Sequence, residues 1–139
     1  MLRKLSDRPN LLSLQHFIEQ VLRKKNVISI VLFGSMAKGT YTIFSDYDVL
    51  VIVSEDSDRF IDRLWKYGRL SDGYVEPVVY TLSEVKKMFK QNHTLLLEAL
   101  KDGIPLYDTG FWKTLRQKFE KKLKRREIIP KKNGWIINA

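Results

Sequence analysis

The chain contains no cysteine and only two histidines, His16 and His93, which lie far apart in the sequence. The absence of cysteine excludes a disulfide framework, an iron–sulfur cluster, a thiolate zinc site and a cysteine nucleophile. We assign neither histidine a functional role. No apolar run approaches the roughly 18 residues that a membrane span needs, and residues 1–10 lack the apolar centre of a signal peptide. We therefore expect a soluble cytoplasmic protein with no membrane contact.

Acidic residues are outnumbered: 25 lysines and arginines face 16 acids, which gives a net charge of +9. Such a surplus favours polyanionic partners such as nucleotides, nucleic acid or an acidic protein. Residues 111–127 alone carry eight bases and two acids, and their apolar positions predict a basic helix. The length of 139 residues fits a single domain. We place that domain at residues 1–129 and expect residues 130–139 to form a C-terminal tail.

Hydrophobic patterning predicts an α/β fold in which a small mixed β-sheet is flanked by helices. Asn10 is expected to cap the first helix, Pro77 to mark an edge strand or a bulge, and Thr81 with Glu84 to form a capping box. The predicted strands cover residues 27–33, 46–54, 74–80 and 104–107, and the later helices cover residues 60–68, 81–90, 94–101 and 111–127.

Two of the three tryptophans, Trp65 and Trp112, are expected to pack in the core or between helices. Trp135 is harder to place, because its apolar cluster (residues 135–137) follows Pro130 and shows no strand or helix pattern of its own. It either packs back on the domain or docks on a partner, and the sequence does not separate these alternatives.

The residues from Gly34 to Val51 contain the pattern that indicates a functional site. Gly34 and Ser35 follow the first predicted strand, and ten residues later Asp46 and Asp48 begin the second. Residues two apart on a strand project from the same face, so the two carboxylates lie close together and repel each other unless a cation separates them. Carboxylate oxygens suit Mg²⁺, which also retains water and substrate phosphates in its coordination shell.

The glycine and serine complement this pair of aspartates. A tight turn at Gly34 and Ser35 exposes backbone N–H groups, a short helical turn there adds its positive end, and both features favour phosphate. Lys38 lies one helical turn further on and can neutralise phosphate charge. A phosphate-binding turn beside a carboxylate pair is the arrangement that phosphoryl and nucleotidyl transfer require.

This motif resembles that of the polymerase-β-like nucleotidyltransferases, and in particular their minimal nucleotidyltransferase (MNT) group. Their signature is Gly-Ser, ten residues, Asp-x-Asp and a hydrophobic strand, as in Gly34-Ser35, Asp46-Tyr47-Asp48 and residues 49–51. The resemblance implies the polymerase-β-like nucleotidyltransferase fold and a transfer of NMP from an NTP with two Mg²⁺ ions. It also implies that Gly34 and Ser35 bind phosphates, while Asp46 and Asp48 bind both metal ions.

The family also uses a third carboxylate, usually an aspartate, on a nearby strand. Glu76 is our candidate for a catalytic and metal-binding role, because it is the only acid inside the third predicted strand. Glutamate departs from the family's usual aspartate. If Glu76 only faces solvent, the chain is expected to be a degenerate enzyme.

The resemblance leaves more than one function open. Minimal members often act beside a small helical HEPN-type protein as the antitoxin of a toxin–antitoxin pair, which implies AMP transfer from ATP to a tyrosine of that partner. The first alternative is an inactive or weak antitoxin that neutralises its partner by contact. The second is transfer to a nucleic-acid acceptor bound by the basic helix at residues 111–127.

Overall fold

The structure is a computed structural model that describes residues 5–138. Within that range the chain alternates helices and strands around a mixed sheet, which confirms the expected α/β class. No helix in this part of the chain is long and apolar enough to cross a membrane. The elements are α1 (Leu11–Leu22), β1 (Val27–Phe33), α2 (Ser35–Lys38), β2 (Tyr47–Val53), α3 (Phe60–Gly68), β3 (Val75–Thr81), α4 (Leu82–Lys90), α5 (Thr94–Asp102), β4 (Ile104–Asp108), α6 (Phe111–Lys124), β5 (Ile128–Lys131) and β6 (Gly134–Ile137).

The main sheet has the strand order β3-β2-β1-β4. Strand β1 runs antiparallel to both β2 and β4, whereas β2 and β3 are parallel. As a result, the carboxyl end of β1 and the amino ends of β2 and β3 lie along the same side of the sheet. We call such a side, where the strands end, an edge of the sheet, and we call the outermost strands edge strands. This edge is the one to which the Gly-Ser turn and the Asp-x-Asp pair belong.

Each face of the sheet is covered by its own hydrophobic cluster, so the central strands are apolar on both sides, as their sequences predict. Alternate residues of β2 divide between the clusters: Val49 and Val51 pack with α1, and Leu50 and Ile52 pack with α4, α5 and α6. The second face is also the face of Asp48, because Asp48 lies two residues before Leu50 on the same strand.

Most local predictions agree with the structure. Pro77 lies on the edge strand β3, and Thr81 and Glu84 form a complete capping box at the start of α4. Asn10 occupies the N-cap position of α1, but the prediction that its side chain caps the helix is wrong. Its backbone adopts the left-handed conformation with φ 57°, and its carbonyl, not its side chain, accepts a hydrogen bond from Ser13 N–H.

The two tryptophans expected inside the protein differ. Trp112 is buried in α6, whereas Trp65 on α3 is 68% exposed, so the prediction for Trp65 is wrong. The reason is the choice of buried face on α3, which turns Arg63 and Tyr67 towards the sheet instead. The sequence pattern favoured Trp65 for that face because it treats an arginine as a solvent-facing residue.

The basic helix α6 ends at Lys124, three residues earlier than predicted, and its apolar side is buried as expected. A two-stranded hairpin, β5–β6, follows it, and the boundary drawn at residue 130 falls inside β5. Trp135 packs edge-on against Phe119 of α6, and its indole N–H donates to Glu98 Oε1 at 3.1 Å. The alternative in which Trp135 packs back on the domain is therefore the one that the structure supports.

Candidate active site

Three strand ends bring the motif residues together at one edge of the sheet. Gly34 and Ser35 directly follow β1, Asp46 directly precedes β2, Asp48 is its second residue, and Glu76 is the second residue of β3. In the sheet register Asp48 is opposite Glu76 on one side and opposite Phe33 on the other. Neighbouring strands lie about 4.8 Å apart, so the side chains of Asp48 and Glu76 project side by side from one face.

The Gly34 turn fits closely against the Asp48 carboxylate. Gly34 has φ 72° and ψ −159°, a region that is essentially restricted to glycine. A Cβ atom at this position would overlap the Asp48 carboxylate, so only glycine allows the turn to come this close. The Gly34 carbonyl accepts hydrogen bonds from the N–H groups of Ala37 and Lys38, both at 3.1 Å. These bonds form α2, whose first N–H groups have no partner inside the helix.

The carboxylates repel one another electrostatically, as their spacing predicts. Burial raises the pKa of Asp48 above its usual value, and the negative charges of Glu76 and Asp46 raise it further. Burial and the neighbouring charges thus destabilise the ionised form of Asp48 relative to a solvated aspartate, and a bound cation would reduce that penalty.

The donor set fits Mg²⁺ by its chemistry, because it consists of carboxylate oxygens, from the half-buried Asp46 and Asp48 and from the exposed Glu76. Within residues 5–138, however, no group of three histidine, aspartate, glutamate or cysteine side chains has converged to the spacing of a metal site. The three carboxylates share one edge of the sheet without forming a closed coordination shell.

One residue that the sequence did not single out supports the turn. Arg8 precedes α1, and its Nε donates to the carbonyl oxygen of Met36 in α2 at 3.0 Å. Its guanidinium lies over the ring of Tyr41, 4.7 Å from the centroid, and its side chain is only 12% exposed. Arg8 therefore connects the N-terminal segment to α2 and to the loop that follows it. No local pattern could reveal this contact, because the partners are 28 residues apart.

A groove opens beside Glu76, between α3 and the edge strand β3, and we call it the α3–β3 groove. Its volume is about 600 Å³, within the range of about 300–1,000 Å³ typical of ligand clefts. Asp48 and Glu76 line it together with mostly apolar residues of the two elements: Ile61, Leu64, Trp65, Pro77 and Val78. Sequence reasoning missed this groove because it placed Trp65 in the core.

The other candidate residues divide between the site and the opposite end of the sheet. Lys38 is the last residue of α2 and is exposed, one helical turn from Gly34. The basic helix α6 begins beside Asp108, whose carboxylate accepts hydrogen bonds from the N–H groups of Trp112 and Lys113. Asp108 pairs with Ser29 of β1, four residues before Phe33, so the start of α6 lies at the edge opposite the Gly34 turn.

Comparison with known proteins identifies the same stretch. A family model described as "Nucleotidyltransferase domain" matches residues 14–129, which include every motif residue discussed above. A protein of Methanocaldococcus jannaschii that is named a protein adenylyltransferase is 31% identical to this chain over an alignment of 141 positions. That alignment covers 89% of this chain and 91% of the relative.

Solved structures support the fold. A crystal structure of a nucleotidyltransferase from Sulfolobus solfataricus superposes with a TM-score of 0.54 at 23% identity and covers 71% of this chain and 80% of its own. A crystal structure of a toxin–antitoxin with AMP-PNP also gives a TM-score of 0.54, at 20% identity. It covers 80% of this chain and 87% of its own chain. At these identities the similarity establishes the shared architecture.

Proposed function

The chain belongs to the nucleotidyltransferase domain family, and from this premise we propose that it transfers AMP from ATP to a tyrosine hydroxyl of a partner protein. The observation that carries the proposal is the position of Asp48. Its carboxylate lies between the Gly34 turn on one side and Glu76 on the other, with Asp46 two residues away. A phosphate-binding turn and three carboxylates thus share one edge of the sheet.

Each of these residues has a role in the proposed reaction. Gly34 and Ser35 bind the β- and γ-phosphates through backbone N–H groups and the serine hydroxyl, and Lys38 neutralises phosphate charge. Asp46, Asp48 and Glu76 would hold two Mg²⁺ ions. When bound, Mg²⁺ neutralises charge on the phosphates and lowers the pKa of the attacking hydroxyl.

The transfer itself is a substitution at the α-phosphorus. The acceptor hydroxyl oxygen forms a bond to the α-phosphorus, the bond from that phosphorus to the β-bridging oxygen breaks, and pyrophosphate leaves. Glu76 accepts the hydroxyl proton, because it is the carboxylate on the outer strand and is exposed to an approaching acceptor. Glutamate fits the position in register with Asp48 and has one methylene more reach than the aspartate usual in the family.

The acceptor and the partner are inferred from relatives. The Methanocaldococcus jannaschii relative is named a protein adenylyltransferase, and the AMP-PNP complex is a toxin–antitoxin. Together with the MNT resemblance, these names support a protein acceptor and a small HEPN-type partner, with this chain as the antitoxin. We do not propose a nucleic-acid acceptor on α6, because the start of this basic helix lies at the edge of the sheet opposite the Gly34 turn.

Calorimetric titration of ATP, with and without Mg²⁺, tests the proposal in the wild type and in the Asp46→Asn/Asp48→Asn variant. We expect binding that requires Mg²⁺ in the wild type and its loss in the variant. We expect the variant to fold, because burial and like charges raise the pKa of Asp48, which means that its negative charge destabilises the folded protein. Removing that charge should maintain or raise thermal stability, so that a loss of binding is not caused by unfolding.

Two other outcomes would contradict parts of the proposal. If the folded wild type does not bind ATP at millimolar concentration, the free chain is not a nucleotidyltransferase in this form. If the double variant still neutralises the HEPN-type partner in cells, neutralisation proceeds by contact and the carboxylates are not needed for it.

A further inference from the structure

The α3–β3 groove combines an apolar lining with carboxylates at its inner end. Trp65 is 68% exposed and Ile61 is 50% exposed, although both belong to a helix that packs on the sheet. Pro77 and Glu76 form the strand side of the groove, and Asp48 lies at its end. A large exposed aromatic residue at the mouth of a cleft is typical of a binding surface.

Helix α3 is held firmly in place, so the groove is preformed. Arg63 of α3 is buried, and it donates to both carboxylate oxygens of Glu84 in α4, at 2.6 and 2.9 Å. It also donates to the Val79 carbonyl of β3 at 3.1 Å. These bonds orient α3 with Tyr67 towards the sheet and leave Trp65 facing outwards.

The order of the strands indicates which of the two substrates approaches through the α3–β3 groove. From β1 to β3 the elements carry the Gly34 turn, then Asp46 and Asp48, then Glu76, and the groove extends from Phe33 and Asp48 past Glu76 to α3. In phosphoryl and nucleotidyl transfer the attacking oxygen and the leaving oxygen stand roughly in line on opposite sides of the phosphorus. If pyrophosphate leaves at the Gly34 turn, the acceptor approaches from the side of β3.

We propose that the α3–β3 groove binds the tyrosine side chain of the acceptor and that Trp65 positions its ring. The inference rests on the proposed function and adds the place where the acceptor binds. An apolar ring packs against Trp65, Ile61 and Pro77, and its hydroxyl points to the carboxylate of Glu76. Tyrosine fits this combination because it has an apolar body and a polar tip, whereas serine and threonine offer a hydroxyl without a ring.

Kinetics with a defined acceptor test the role of Trp65. The transfer of labelled AMP from ATP to N-acetyl-L-tyrosinamide is measured in the wild type, Trp65→Ala, Trp65→Phe and Leu12→Ala. Leu12 is the matched control, since it is an apolar side chain on α1 that is 79% exposed and outside the groove. We expect Trp65→Ala to raise the KM for the tyrosine probe about fivefold with the KM for ATP unchanged, and Trp65→Phe to restore most of the loss. An increase in the KM for ATP alone would assign the groove to the nucleobase and overturn the proposal.

A second measurement does not depend on turnover. Because the chain contains no cysteine, Ile61→Cys introduces a single thiol into the groove. We expect N-acetyl-L-tyrosinamide to slow the labelling of this thiol by a maleimide, and N-acetyl-L-serinamide and ATP to have no such effect. Protection without any AMP transfer would support the groove while contradicting the proposed enzyme. Equal labelling rates with and without the tyrosine probe would overturn the groove proposal, whatever the activity.

Discussion

The backbone of Gly34 lies against the carboxylate of Asp48, and its φ of 72° with ψ of −159° is essentially open to glycine alone. This single residue therefore serves two purposes at the residue scale. It allows the turn after β1 to bend into α2, and it lets the backbone of that turn approach the Asp48 carboxylate. In the proposed reaction, this close approach brings the turn and the Asp48 carboxylate to the same triphosphate.

We expect Gly34→Ala to destabilise the fold and to abolish ATP binding, because the new methyl group overlaps the Asp48 carboxylate. Gly73→Ala is the matched control: Gly73 also has a positive φ of 105°, but nothing lies within 4 Å of a Cβ there. The control should lose about 1 kcal/mol from backbone strain alone, and Gly34→Ala should lose clearly more. Thermal denaturation and ATP titration of both variants measure the difference. Equal stability losses with ATP binding intact in both would show that the close approach does not matter.

Single residues also show where sequence reasoning succeeds and where it stops. Gly34, Asp46 and Asp48 are identifiable from their spacing, because strand geometry converts that spacing directly into proximity. The contacts of Arg8 and the exposure of Trp65 cannot be identified from the sequence in this way. The role of Arg8 comes from a contact between distant parts of the chain, and the exposure of Trp65 results from which face of α3 packs on the sheet.

At the scale of elements, the ion pair between Arg63 and Glu84 connects α3 to α4. Glu84 also completes the capping box by accepting from the Thr81 N–H at 2.8 Å. The hydrogen bonds from Arg63, followed by those from Thr81, lower the pKa of Glu84 to about 2 despite its partial burial. A folded-state pKa below the ordinary value of 4.5 means that the ionised side chain stabilises the fold above about pH 4.5. This contribution is lost progressively as the pH falls from there towards 2.

We expect Glu84→Gln to lower the free energy of unfolding at neutral pH by about 2 kcal/mol, because it leaves the buried Arg63 without a counter-charge. Solvent screening keeps this loss below the roughly 3–5 kcal/mol of a fully buried ion pair, since the Glu84 side chain is 39% exposed. Urea denaturation of wild type and variant should show a difference that shrinks as the pH is lowered below about 4.5.

Asp62→Asn on the same helix is the control for that experiment. Asp62 pairs with Arg59 at 3.0 Å, but both side chains are well exposed. Exposed pairs contribute little, so this variant should change stability by less than about 0.5 kcal/mol. If Glu84→Gln behaves like Asp62→Asn, the ion pair does not hold α3 in place.

The elements of the central sheet follow from the sequence because each has a strong local signal. Strand β1 is a β-branched apolar run bounded by Asn26 and Gly34, and α4 begins with a capping box. The hairpin β5–β6 was not predicted. The sequence contains the common turn pair Asn133-Gly134, but in the structure the turn residues are Lys132 and Asn133, and Gly134 already pairs with Lys131. Each strand is only four residues long and β5 contains Pro130, so neither produces a clear alternating pattern.

At the scale of the whole molecule, the sheet packs against two hydrophobic clusters that come from different parts of the chain. The cluster on the α1 side consists of residues between Leu5 and Val79 with some partly buried contacts from β4, whereas the cluster on the other side also draws on the C-terminal third of the chain. Ile128 and Trp135 of the hairpin contribute to the second cluster. That face of the sheet also carries Asp48, so the C-terminal hairpin helps to complete the framework on which the site is built.

Trp135 is the residue through which the hairpin joins that framework, by its contact with Phe119 at a centroid distance of 6.0 Å and its hydrogen bond to Glu98. We expect Trp135→Ala to lower the free energy of unfolding by about 2 kcal/mol, which is below the roughly 3–5 kcal/mol typical for a fully buried large aromatic residue, because Trp135 is only partly buried. Ile136→Ala is the control. Ile136 is the next residue along β6 and its side chain is 43% exposed, so this substitution should cost less than about 1 kcal/mol. Denaturation of both variants gives the comparison, and ATP titration at low temperature should find the affinity of the folded variants unchanged. If Trp135→Ala is as stable as Ile136→Ala, the hairpin is only attached to the domain, and residues 130–139 behave as the separate tail that the sequence predicts.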